Sequence, residues 1–112
     1  MQTVDSITEY LREQVEKRNI LGPDVWLRGA QSINMLLQVE QDKLFELEHN
    51  LALKKQEALT NGSNGIQARA IIEASDEYLQ ARKLKAKIDR AIEMIRISKQ
   101  QARLEVETQR NQ

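Results

Sequence analysis

The stretch WLRGAQSINMLLQVEQDKLFELEHNLALKKQEALTNGSNG, residues 26–65, decides the fold. Stepping alternately four and three residues from Trp26 meets Ala30, Ile33, Leu37, Glu40, Leu44, Leu47, Leu51, Lys54 and Ala58. A repeat of 3.5 residues marks a helix that lays one seam against another helix. The seam predicts a helix over about 24–59, with polar interruptions at Glu40 and Lys54. Met35, Leu36, Val39, Phe45 and Leu53 fall outside it. They widen the apolar surface beyond what one partner helix covers. The stretch closes on Thr60-Asn-Gly-Ser-Asn-Gly65, whose Gly and Asn residues tolerate positive φ, so 60–65 reads as a turn.

Downstream, the same stepping gives Ile71, Ala74, Tyr78, Ala81, Lys85, Ile88, Ile92, Ile95, Lys99, Ala102 and Val106. One further helix is expected over about 66–108. At 1.5 Å per residue the two helices are each roughly 50–65 Å long. Helices of that length joined by a short loop pack antiparallel. The turn places Lys85 near Glu40, and an interhelical ion pair between them is expected. Upstream, Ser6-Ile-Thr-Glu9 has the form of a capping box and predicts a short helix over about 6–18. Pro23 suits the first turn of the next helix. The fold class expected is all-α: a long antiparallel, coiled-coil-like helical hairpin preceded by a short N-terminal helix, one domain over residues 1–112.

Composition narrows the function. Among 112 residues there is no cysteine, which removes disulfide, thiolate and Cys-zinc chemistry. His49 is the only histidine, and Glu46, Asn50 and Leu53 around it make no ligand set. No nucleophile–base pair can be assembled from these residues. Glu73, Asp76 and Glu77 form a carboxylate cluster that reads as a solvated helix face rather than an acid–base pair. The expectation is a non-enzymatic chain with no cofactor and no metal. No apolar run approaches the roughly 20 residues of a membrane span, and residues 1–5 lack the form of a signal peptide. A cytoplasmic setting follows as an expectation.

Charge is balanced, with 17 basic and 17 acidic residues, but unevenly placed. Residues 1–53 carry nine acidic against five basic side chains; residues 82–103 carry eight basic against two acidic. Such a chain binds an anion or an oppositely charged neighbour. The candidate nucleic-acid contacts are Lys54, Lys55, Arg69, Arg82, Lys83, Lys87 and Arg90. The candidate interface residues are Trp26, Ile33, Met35, Leu36, Leu37, Leu44, Phe45, Ile88, Ile92 and Ile95. Two long helices and a short one offer little core for their surface, so self-association is expected.

The layout over about residues 24–104 resembles the phage UvsY-type recombination mediators. The resemblance lies in a long helix, the Leu53-Lys54-Lys55 stretch, the Asn61-Gly62 turn, and a second long helix entered through Ile71-Ile-Glu-Ala-Ser-Asp-Glu-Tyr-Leu79. Glu57-Ala58-Leu59 stands where those proteins carry paired tyrosines. The resemblance implies an oligomer that binds single-stranded DNA and assists a recombinase, in a bacterial or phage-infected host cell, with Lys54 and Lys55 as the matching basic positions. The alternative is a protein–protein module, such as an assembly factor or a small inhibitor of a host enzyme. That module would bind no nucleic acid and would meet an unidentified partner through Met35, Leu36 and Phe45.

Overall fold

The structure, a computed structural model, describes residues 2–110. These residues form α1 (Val4–Glu16), α2 (Pro23–Thr60), α3 (Gly65–Glu73) and α4 (Asp76–Arg110), with no strand among them. The architecture is a long helical hairpin preceded by a short helix. Within the described residues, no helix is long and apolar enough to cross a membrane.

Two local expectations are corrected. Ser6 does not cap α1; Thr3 does. The Thr3 hydroxyl accepts from the Ser6 N–H, and the Ser6 hydroxyl accepts from the Thr3 N–H. The box therefore begins three residues earlier, and Glu9 instead pairs with Arg12 at 2.5 Å. The expected helix over 66–108 is interrupted at Ala74 and Ser75. The Ser75 hydroxyl donates to the Ile72 carbonyl at 2.7 Å and accepts from the Tyr78 N–H at 3.2 Å, which caps α4. Asp76 and Glu77 fill the first turn of α4, where the helix dipole favours anions. The carboxylate cluster thus belongs partly to a helix start.

The turn between α2 and α3 has the expected chemistry. Gly62 takes φ +99°, and the Asn64 side chain caps α3 in a reciprocal box with Gln67.

The chain divides into two compact units, Met1–Val39 with Lys87–Gln112, and Glu40–Ala86. In the first, three helical segments surround a well-buried core. Val4, Ile7 and Leu11 come from α1, Trp26, Ala30, Ile33 and Leu37 from α2, and Ile88, Ala91, Met94 and Ala102 from α4. Gly29 lets α1 approach, since a Cβ there would stand 2.9 Å from Leu11 Cδ1. In the second unit only Leu51, Ala68 and Ala81 are buried among the apolar residues. Two of these three are alanines, so this unit removes far less apolar surface from water.

The α2 seam holds as read, with Leu44, Leu47 and Ala58 half-buried and Lys54 exposed. The α4 seam holds at Ala81, Ile88 and Ala102, which are buried, and shifts at the alternate positions. Ala91, Met94 and Ser98 are buried, whereas Ile92, Lys85 and Lys99 are exposed. The cause is α1, which also packs beside α4: Lys87 Nζ lies 3.7 Å from Asp5 Oδ2. A helix that touches two neighbours turns its buried face between them. In the second unit the Glu40–Lys85 pair does not form. Glu40 lies 3.9 Å from Lys43 Nζ, and Lys85 has no acidic partner among the described residues.

Candidate nucleic-acid interface

The seven cations singled out from the sequence meet different fates. Three are engaged by carboxylates. Lys54 Nζ bonds Glu77 Oε1 in the second unit. Arg69 Nε donates to Glu73 Oε1 at 2.8 Å, one turn along α3. That hydrogen bond and the carboxylate charge raise the Arg69 pKa above its ordinary value. Lys87 is half-buried beside Asp5.

Arg90 lines a shallow groove of about 860 Å³ between α1 and α4. Asp5, Glu9, Asp89 and Glu93 line it too, so the groove has no net attraction for an anion. Lys55 and Lys83 are exposed, and neither makes an ion pair with any described residue.

Arg82 is the informative one. Its guanidinium carbon lies 5.9 Å from the centroid of the Tyr78 ring, one turn earlier on α4. A cation over an aromatic face is attracted by the ring quadrupole. The ring holds the guanidinium while leaving its N–H groups able to grip phosphate. Lys85, three residues further on, shares this helix face with Tyr78 and Arg82 and is exposed. Tyr78, Arg82 and Lys85 therefore make a compact cationic surface with an aromatic base in the second unit. The sequence places Lys85 on the α4 seam, whereas in the structure it is exposed. The Tyr78–Arg82 spacing of four was the available signal for the ring contact.

The interface candidates also divide. Trp26, Ile33, Leu37 and Ile88 are buried within the chain itself. Leu36, Leu44 and Ile95 are half-buried. Met35, Phe45 and Ile92 are exposed, Met35 by 69% and Phe45 by 66%. These three are open to a partner.

Among the described residues, no group of three or more His, Asp or Glu side chains is placed to hold a metal ion. Comparison with protein-family models, characterised proteins and solved structures found no match to this chain.

Proposed function

We propose that this chain is a non-enzymatic helical accessory protein that works as an assembly of copies and binds single-stranded DNA, in the manner of a recombination mediator. The observation that carries the nucleic-acid part is Arg82 seated on Tyr78 with Lys85 on the same face. Single strands are held by cations that track phosphates beside aromatic surfaces. A single chain offers few such contacts, and an assembly multiplies them. The test is fluorescence anisotropy of a labelled oligothymidylate. Wild type binds at 50 mM salt and weakens at least about sevenfold by 200 mM, as two phosphate contacts per chain require. The pair Arg82→Ala and Lys85→Ala weakens binding about tenfold or more. Absence of binding at low salt overturns this reading.

A second reading, a protein–protein module without nucleic-acid binding, is favoured by a different observation. Lys54, Arg69 and Lys87 are already neutralised, while Met35, Phe45 and Ile66 are 69%, 66% and 83% exposed. Exposed apolar side chains in that number suit a protein surface. Pull-down of a partner that is lost on Met35→Ser with Phe45→Ser supports it, and nucleic-acid binding by the wild type counts against it.

A further inference from the structure

Two rows of exposed side chains share one plan with opposite charge. The first lies on α4 in the first unit: Ile92, Arg96, Lys99, Arg103 and Val106, at steps of four and three. Lys99 and Arg103 stand one turn apart, and neither forms an ion pair with any described residue. Arg96 is held by Glu93 on its own helix. The second row lies on α2 in the second unit: Asp42, Phe45, Glu46, His49 and Leu53. Asp42 and Glu46 are also one turn apart and also lack a cationic partner among the described residues. Like charges at this spacing disfavour the helix that bears them. Each row also keeps apolar side chains in water, among them Ile92 at 47%, Phe45 at 66% and Leu53 at 50%.

We propose that the cationic row of one copy receives the acidic row of a second copy. Asp42, Glu46, His49 and Leu53 step by four, three and four as the first row does, with Phe45 beside Glu46, and this shared spacing is what two helices need to interdigitate. At 1.5 Å per residue the rows span roughly 21 and 17 Å, a comparable length. In an antiparallel register Lys99 would face Glu46 and Arg103 would face Asp42, which brings Ile92 opposite Leu53. Opposite charge fixes the pairing and disfavours the two rows each meeting their own kind. The contact joins two different faces, so it closes as a two-fold dimer where both rows of each copy meet reciprocally, and otherwise builds a ring or an open filament. The proposal rests on the self-association part of the function proposed above and is independent of DNA binding.

The test is sedimentation velocity at micromolar concentration on four proteins: wild type, Lys99→Glu with Arg103→Glu, Asp42→Lys with Glu46→Lys, and the combined fourfold variant. All four positions are exposed, and circular dichroism confirms that helicity is kept. Wild type is expected to associate. Each double variant is expected to lose association at least tenfold, and mixing the two is expected to restore it. The fourfold variant, with both signs reversed, is expected to associate again. If wild type is a monomer, self-association itself falls. If wild type associates and the double variants do so unchanged, assembly stands and this contact is overturned. If Lys99→Glu with Arg103→Glu abolishes DNA binding but not association, the cationic row serves nucleic acid and the proposal is likewise overturned.

Discussion

The Glu105 carboxylate accepts a hydrogen bond from the indole N–H of Trp26 at 2.8 Å, joining positions 79 residues apart. The same oxygen accepts from the Leu21 N–H at 3.3 Å. The last turns of α4 are thus tied both to the start of α2 and to the segment before it. Trp26 is completely buried, so its N–H has no access to water in place of Glu105. Glu105→Leu leaves the buried Trp26 N–H unpaired, at a cost of about 1–3 kcal/mol, and also removes the acceptor of the half-buried Leu21 N–H. The shorter Trp26 bond carries the larger share. Glu105→Gln retains an acceptor and loses less. Urea denaturation followed by emission of Trp26, the sole tryptophan, measures both.

Gly29 predicts a balance of two effects. Alanine there places a Cβ 2.9 Å from Leu11 Cδ1, and the Leu11 side chain must give way. Leu11 also borders a groove of about 270 Å³ between α1 and α2, which leaves its methyls somewhere to go. The exchange also contributes about 1 kcal/mol of helix propensity. Gly29→Ala is therefore expected to change stability by less than about 1 kcal/mol. Gly29→Val is expected to lose about 1–3 kcal/mol, because its branched side chain overpacks the same contact. Limited proteolysis within α1 separates the two, with faster cleavage only for valine.

Ser98 carries the opposite prediction. It is fully buried on α4, and its hydroxyl has no hydrogen-bond partner among the described residues. A buried, unpaired hydroxyl is a standing cost. Ser98→Ala removes it and improves helix propensity, with an expected gain of about 1–2 kcal/mol. A higher midpoint in thermal denaturation is the expected result. A lower one would show that the hydroxyl has a role which the packing around it does not reveal.

The register of α2 could be read from residues 26–58 because large apolar side chains mark its buried face. Trp26, Ile33 and Leu37 are buried where the stepping put them. On α4 the reading followed Ile92, and the packing chose Ala91, Met94 and Ser98 instead. Hydropathy weights bulk, whereas close approach of three helical segments selects the small Ala91 and Ser98, and Met94 lies between them on the same face. The break at Ser75 was written in Ser75-Asp-Glu77 but was hidden by a seam that ran through it. Of the nucleic-acid candidates, Arg82 and Lys83 remain open to solvent, while Lys54, Arg69 and Lys87 have carboxylate partners. The Arg69–Glu73 pair is local to one turn of α3, but the other two depend on three-dimensional neighbours: Glu77 is 23 residues from Lys54 in the chain.

The last prediction concerns acid. Arg96 donates from its guanidinium to Glu93 one turn earlier, and this bond lowers the Glu93 pKa below its ordinary value. The same pairing raises that of Arg96. A carboxyl whose folded pKa is depressed contributes stability above its unfolded pKa, and that contribution is lost as pH falls through the folded value. Both side chains are exposed, so solvent and salt screen the pair, and its effect on global stability is small. The signature is local. In an NMR pH titration, the Glu93 side chain is expected to titrate below the ordinary carboxyl range. In Arg96→Gln it returns to the ordinary carboxyl range. Raising salt moves it the same way, because the pair is open to counterions. A Glu93 titration unchanged by Arg96→Gln would mean that the pair does not persist in solution, leaving Arg96 as free as Lys99 and Arg103 to meet an acidic surface.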